Sequence, residues 1–180
     1  MKKIALAILL ASGLIAADNG YYIGIDIGNT KFDMKASTSG VSAEESDDGG
    51  SFTLKWGEYF DKNSRAVICY HNINVDDGRT HYVSIGYDYL IGNYDLKPFI
   101  GGFVGYGSAE ADDLPELDIA GAVYGTQAGV NYTINANFSV EAGYRYMMSN
   151  MQDTITVGGV TVKIEIDPIS NWFVGVNYKF

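Results

Sequence analysis

Strict alternation of apolar and polar side chains, repeated along the chain after residue 20, is the feature that most constrains the fold. Residues 138–146 show it most clearly, with an aromatic or apolar face of Phe138, Val140, Ala142, Tyr144 and Tyr146 against Ser139, Glu141, Gly143 and Arg145. Successive side chains of a β-strand point to opposite faces, so a period of two predicts strands. Eight such segments follow one another up to residue 180, and we therefore predict an all-β chain.

The contents of the two faces indicate where these strands fold. The polar face holds glycine, serine, asparagine and glutamine with isolated charges, which suits the filled interior of a small barrel. The apolar face carries Tyr and Trp toward the strand ends, as the aromatic girdles of membrane barrels do. Because unpaired backbone groups are costly in hydrocarbon, such strands must close into a ring. We predict an eight-stranded antiparallel up-and-down transmembrane β-barrel, with a soluble secreted sandwich as the alternative.

Two of the predicted strands leave their facing open. In the third strand, about residues 65–74, Val67 and Cys69 make the second face apolar as well. In the fifth strand, about residues 97–107, glycine is so frequent that neither face can be distinguished.

The N-terminal segment has the three parts of a secretory signal. Lys2 and Lys3 precede a short apolar run, and Ala16 and Ala17 offer small residues for cleavage. The run is shorter than the ~20 residues that a transmembrane helix needs, which argues against a membrane anchor. We predict a signal peptide over residues 1–17 and a barrel domain over residues 18–180. The formal net charge of −10 argues against a nucleic-acid partner.

The connections between the strands differ in character. Residues 38–50 and 109–117 are acidic and without periodicity, and we predict long solvated loops there. Gly158 and Gly159 predict the turn of a long hairpin, which could dock extracellular strands at its edge. Pro168 is expected at a bulge or bend, where its missing N–H breaks no pairing. The acids of the two loops match no calcium-binding spacing.

The isolated charges predict a polar network inside the barrel. Its members are expected to be Asp26, Lys55, Asp88, Gln127, Glu141, Arg145 and Lys179. Glu141 and Arg145 lie roughly 13 Å apart along one strand at ~3.3 Å per residue, so each must find partners on other strands. Charges in so narrow a space must be paired or hydrated. The first interpretation is an interlocked plug, and the second is an ion pathway.

Two histidines raise the question of catalysis. His71 and His81 flank the connection after the third strand, with Asp76 and Asp77 between them and Ser84 nearby. No nucleophile motif surrounds any serine, so a lipid-modifying enzyme is only a minor alternative. The two histidines and the single Cys69 lack a zinc-ligand spacing, and we predict neither a metal nor a cofactor. One cysteine also excludes an intrachain disulfide.

The runs FSVEAGYRYM at residues 138–147 and NWFVGVNYKF at residues 171–180 carry a family resemblance. Together with the export signal and the eight alternating segments, they resemble the small OmpA/OmpX-type outer-membrane barrels. The resemblance implies that the ending is recognised by the barrel-insertion machinery through Trp172, Val174, Val176, Tyr178 and Phe180. It also implies termini in the periplasm, and acidic loops outside a Gram-negative cell.

The functional prediction follows from this barrel. We expect no reaction, and a structural or surface-interaction role in adhesion or envelope integrity, with a narrow porin-like channel as the alternative. The expected partners are outer-membrane lipids and lipopolysaccharide, the insertion machinery, and an extracellular partner at the acidic loops. Because a fold does not determine a function, the ligand stays open.

Overall fold

A computed structural model describes residues 20–38, 41–75, 78–111, 119–150, 152–157 and 160–180. These residues form nine β-strands: β1 Tyr21–Thr38, β2 Val41–Tyr59, β3 Ser64–Val75, β4 Gly78–Leu90, β5 Leu96–Ala111, β6 Ile119–Thr133, β7 Phe138–Ser149, β8 Gln152–Val157 and β9 Val160–Lys179. No helix among the described residues is long and apolar enough to cross a membrane. The predicted signal peptide over residues 1–17 lies outside the described residues.

Antiparallel pairing closes these strands into a ring. Each strand from β1 to β7 pairs with its neighbour in sequence, β7 pairs with β9, and β9 returns to β1. The ring therefore contains eight strands, and the predicted eight-stranded up-and-down barrel is confirmed. The short strand β8 lies outside the ring.

Strand β8 continues the edge of β7 along β9. The last pair between β7 and β9 is Met147 with Ile169, and the β8 pairing begins at Gln152 with Glu165. At the break, the backbone N–H of Asn150 instead donates to the carbonyl oxygen of Ala122 on β6 at 3.0 Å. The sequence predicts one long hairpin here, and the structure does pair the two segments along β9. The first arm of the hairpin is, however, interrupted between β7 and β8.

The alternation assigns one face of each strand to the lumen. On β1 the side chains of Ile23 and Ile27 are 47% and 60% exposed on the outer face, whereas Asp26 is only 1% exposed inside. The two strands of open facing follow the same rule. Val67 and Cys69 of β3 are buried in the lumen against Tyr22. The fifth strand turns a pair of phenylalanines inward and exposes its aliphatic side chains, with Phe99 and Phe103 inside and Ile100 and Val104 outside.

The outer face has aromatic side chains near both ends and aliphatic ones between them. We call the end that holds Gly20 and Phe180 the terminal end, and the opposite end the loop end. Exposed aromatics near the terminal end include Trp56, Tyr87, Tyr89, Tyr132, Phe138, Tyr178 and Phe180, and those near the loop end include Tyr70, Tyr106, Tyr124, Tyr144, Tyr146 and Trp172. An aliphatic band between two aromatic girdles is typical of the hydrocarbon-facing wall of an outer-membrane barrel.

The prediction of a loop over residues 38–50 is wrong. Strand β1 runs to Thr38, which pairs with Val41, and β2 occupies Val41–Tyr59. Lys31 lies in register with Asp48, whose carboxylate also accepts a hydrogen bond from the Asn29 side chain at 3.1 Å. Beyond the hydrocarbon both faces of a strand meet water, so pairing continues there without any apolar period in the sequence.

Other predicted connections are partly visible. Ala109 belongs to β5, which ends at Ala111, and residues 112–117 of the second acidic loop lie outside the described residues. The turns predicted at residues 76–78 and 158–159 also fall mainly or wholly on such residues. Pro168 lies in a bulge, as predicted: the β1–β9 register shifts between the pairs Phe32 with Ile169 and Met34 with Ile166.

Candidate functional site

Glu141 of β7 is the most connected acid of the lumen. Its carboxylate accepts a hydrogen bond from Lys55 Nζ at 2.5 Å and another from Arg65 Nη1 at 2.9 Å. The side-chain amides of Asn131 and Asn177 donate to the same carboxylate at 3.3 and 3.0 Å. Hydrogen bonds in which both partners carry charge are short and strong, and this carboxylate makes two of them.

Two further acids receive the remaining cationic donors. Asp26 of β1 forms ion pairs with Lys55 and with Arg145 Nη2, the second at 2.5 Å. Asp88 of β4 accepts a hydrogen bond from Arg65 Nε at 2.9 Å. Each cation except Arg145 thus bridges two carboxylates.

Gln127 of β6 completes the connection. Its amide nitrogen donates to Asp88 Oδ1 at 2.6 Å, and its amide oxygen accepts from Arg145 Nε at 2.9 Å. The contacts therefore form one closed circuit, which we call the lumen ring, in the order Asp26, Lys55, Glu141, Arg65, Asp88, Gln127, Arg145 and back to Asp26. The acids and the cations balance in number, and every member is buried.

Two glycines leave room for the carboxylates of the ring. A Cβ built on Gly101 would lie 1.9 Å from Asp88 Oδ1, and one built on Gly175 would lie 2.0 Å from Asp26 Oδ1. Any larger residue at either position would displace an acid from its cations. Glycine in a strand commonly marks such a close approach.

Aromatic rings pack against the guanidinium groups of the lumen ring. Arg145 lies 3.7 Å from the centroid of Phe173, and Arg65 lies between Phe99 and Tyr22 at 5.1 and 5.6 Å. Arginine favours this arrangement because its planar cation stacks on aromatic faces while its N–H groups bind carboxylates. The ring is therefore held by apolar as well as ionic contacts.

The sequence-predicted lumen residues are brought together with one exception. Lys179 is half-buried at the terminal end, where its Nζ lies 5.4 Å from the centroid of Tyr59. It belongs to none of the ion pairs found among the described residues. Near it a cavity of about 200 Å³ opens at the terminal end, with Tyr22 and Asn131 in its wall.

Arg65 is the functional residue that sequence reasoning missed. It lies on the strand whose facing was left open, two residues before Val67. Once Val67 and Cys69 are known to face inward, the alternation assigns Arg65 to the lumen too. Arg65 could thus have been predicted if the lumen-facing side of the third strand had been known.

Toward the loop end, the lumen contains a chain of three hydrogen-bonded side chains. His71 Nδ1 lies 2.9 Å from Thr53 Oγ1, and His71 Nε2 lies 3.0 Å from Ser84 Oγ. The imidazole also stacks on Tyr82, with ring centroids 4.1 Å apart. All of these side chains are buried, so the arrangement satisfies polar groups and presents no accessible nucleophile.

The second histidine lies apart from this chain. His81 Nε2 is 3.1 Å from Ser108 Oγ, and the acids predicted between the histidines, Asp76 and Asp77, lie outside the described residues. In the described part of the chain, no group of three or more His, Cys, Asp or Glu side chains is placed to hold a metal ion.

The sequence matches a family model along nearly its whole length. The model is described as an outer membrane protein beta-barrel domain, and the match covers residues 4–180. The chain belongs to this family. As an outer-membrane β-barrel protein it lies in the outer membrane, which confirms the predicted localisation. No curated protein matches the chain.

Solved structures of similar fold agree with this membership. Neisserial surface protein A superposes with a TM-score of 0.64 at 23% identity, covering 89% of this chain and 97% of the other. OprG from Pseudomonas aeruginosa gives 0.59 at 15%, with 92% and 98% covered. OprH from P. aeruginosa gives 0.54 at 24%, with 85% and 99% covered. At these identities the likeness shows the fold alone.

The C-terminal strand of this outer-membrane barrel presents the residues that were predicted as an insertion signal. Trp172, Val174, Val176, Tyr178 and Phe180 are all exposed on the outer face. The Phe180 ring contacts the Tyr178 ring edge-on, with centroids 5.4 Å apart. Their recognition by the insertion machinery stays a prediction.

Proposed function

We propose that this outer-membrane barrel acts at the cell surface, through a part of its wall that continues beyond the membrane, and that its lumen does not conduct. The observation that carries the proposal is the length of three strands. Strands β1, β2 and β9 have 18, 19 and 20 residues, whereas a tilted crossing needs only about 9–11.

The excess length of these strands is gathered on one side of the barrel. Past the pair Gly50 with Asn74, β2 pairs only with β1 in the described part of the chain, and past Met147 the partner of β9 is β8. The order β2-β1-β9-β8 defines a four-stranded sheet at the loop end, which we call the protruding sheet. From the level of Trp172 it extends roughly 25–30 Å along β1 at ~3.3 Å per residue.

The protruding sheet has features that suit recognition. Its two outer edges, on β2 and β8, pair with no further strand among the described residues, so an extended segment of a partner can add to their backbone donors and acceptors. The sequence of β2 over residues 44–48 also holds four acids and no base, namely Glu44, Glu45, Asp47 and Asp48. Such a surface favours a partner that is positively charged, and it would attract that partner over a distance set by the ionic strength. With the termini in the periplasm, as the family resemblance implies, the sheet faces the medium.

The lumen ring argues against the channel alternative. It links six of the eight barrel strands at the level of Asp26 and leaves each of its charges paired. An ion crossing this level would have to break paired, poorly hydrated contacts, which is energetically costly. The narrow interior of an eight-stranded barrel leaves little other space.

The experiment shortens the protruding sheet, one hairpin at a time, without altering the barrel. In one variant residues 34–45 are replaced by Asn-Gly, which joins the paired residues Asp33 and Ser46 by a two-residue hairpin turn. In the second, residues 153–164 are replaced in the same way between Gln152 and Glu165. Cells displaying each variant are tested for adhesion to epithelial layers, and a heat-dependent gel shift verifies the folded barrel.

We expect adhesion to fall in the trimmed variants at equal surface expression. A third variant, E44Q/E45Q/D47N/D48N, keeps the sheet and separates the effect of charge from that of shape. Unchanged adhesion after trimming would refute the surface role. Steady single-channel steps of the intact protein in a planar bilayer would refute the closed lumen and favour the narrow channel.

A further inference from the structure

Glu58 breaks the pattern of the outer face. It is in register with Tyr21 on β1 and Ala66 on β3, both of which point away from the lumen. Its own side chain therefore lies on the membrane side of the wall, yet it is only 3% exposed. A buried carboxylate on this face is unexpected, because the neighbouring outward positions are aromatic or aliphatic.

The carboxylate of Glu58 has no partner within the described protein. Neither oxygen accepts a hydrogen bond, and Glu58 takes part in none of the ion pairs found among the described residues. Leaving an ionised carboxylate buried and unpaired is costly, so such groups normally bind a cation or a hydrogen-bond donor. The described residues supply neither, so a partner would have to come from the surrounding medium.

A small cavity lies beside the Glu58 residue. It has a volume of about 30 Å³, and Tyr21, Trp56, Glu58, Ala66 and Ile68 contribute to its wall. The rings of Tyr21 and Trp56 stack with their centroids 6.2 Å apart and form one side. About 10–15 Å³ is enough for one water-sized group, so the cavity accepts an –NH₃⁺ group but not a trimethylammonium group.

The depth of the cavity in the membrane selects the ligand. Glu58 is one residue from the end of β2 at the terminal end, beside the aromatic girdle. Tyr and Trp side chains concentrate where lipid headgroups meet hydrocarbon. The cavity therefore opens toward lipid headgroups, and the group that enters it belongs to a lipid of the leaflet at the terminal end.

We propose that Glu58 and the cavity beside it bind the primary ammonium of phosphatidylethanolamine, with Tyr21 and Trp56 flanking the headgroup. The ammonium supplies the hydrogen-bond donors and the positive charge that the carboxylate lacks. Phosphatidylcholine carries the same phosphate, but its trimethylated nitrogen neither donates a hydrogen bond nor fits the space.

The test is native mass spectrometry of the purified full-length barrel with equal amounts of the two lipids, matched in acyl chains. We expect the ethanolamine lipid to be retained about tenfold over the choline lipid, a ratio that corresponds to about 1.4 kcal/mol. The E58Q variant should retain both lipids equally. As a matched control, D61N removes an exposed acid at the same end and should keep the wild-type preference.

A second variant guards against a folding defect in E58Q. Ala66→Leu fills the cavity from β3 with an apolar side chain and leaves Glu58 intact, so it should also abolish the preference. A gel shift on heating reports whether each variant is folded. Equal retention of the two lipids by the wild-type barrel would overturn the proposal, and so would a preference that survives in both E58Q and A66L.

Discussion

Replacing Glu141 by Gln is the sharpest perturbation of the lumen ring. The substitution preserves shape but removes the charge that Lys55 and Arg65 share at 2.5 and 2.9 Å. The ring then holds more cations than acids, and the new amide N–H groups face cationic donors. Breaking a buried ion pair by removing one partner typically costs 3–5 kcal/mol, so we expect a loss of about 3–5 kcal/mol in unfolding free energy.

The assay is equilibrium unfolding by urea from phospholipid vesicles, followed by tryptophan fluorescence. Both tryptophans, Trp56 and Trp172, lie on the outer face and report contact with lipid. The midpoint should fall while the dependence on urea stays constant, because the surface exposed on unfolding hardly changes. As a control, Lys179→Met removes a cation outside the ring and should cost less than about 1 kcal/mol.

A double variant tests whether charge balance is the cause. Lys55→Met in the Glu141→Gln background restores equal numbers of acids and cations in the ring. We expect the double variant to be more stable than the sum of the single effects predicts, by at least about 1.5 kcal/mol. A cost of less than about 1 kcal/mol for Glu141→Gln, or strict additivity of the two changes, would refute the reasoning.

Three further outcomes are expected. Gly175→Ala should lower the unfolding free energy by about 1–3 kcal/mol in the same assay, because the added Cβ would meet Asp26. Gly50→Ala is the control: a Cβ there has nothing within 4 Å, so its effect should stay within about 0.5 kcal/mol. Equal costs for the two variants would contradict this. Ile25→Arg should cost about 2–4 kcal/mol as a charge on the lipid face, and a neutral result would place that face elsewhere. Cys69 should react with a maleimide far more slowly in the folded barrel than in urea, and equal rates would contradict its burial.

The facing of most strands could be predicted from the sequence because a membrane imposes an apolar outer surface on the barrel. Strands that cross the membrane must keep one face apolar, so the parity of Ile23, Glu141 and Trp172 could be derived from the alternation alone. The facing of the third strand could not be predicted, because the lumen contains apolar as well as polar side chains. Tyr22 packs against Val67 inside the lumen, so the inner face of this strand is apolar at that point. The sequence therefore did not show which face points inward, and Arg65 was not assigned to the lumen.

The extension beyond the membrane could not be predicted for a related reason. Above the hydrocarbon neither face must be apolar, so residues 41–50 show no period although they form a strand. Alternation also predicts whether a side chain faces the lumen or the lipid, but it does not predict the side chain's height along the barrel axis or its contacts. It placed Lys179 on the inner face but could not show that this lysine lies at the terminal end, outside the lumen ring and against Tyr59.

The pairing of β1 with β9 has a consequence for biogenesis. The seam joins residues from nearly opposite ends of the chain, such as Ile25 and Val176, so it can form only after the last strand has been made. Until then two long edges carry unsatisfied amides and carbonyls, which lipid does not tolerate. Truncated products that lack β9 are therefore not expected to persist in the membrane, because they cannot close the ring.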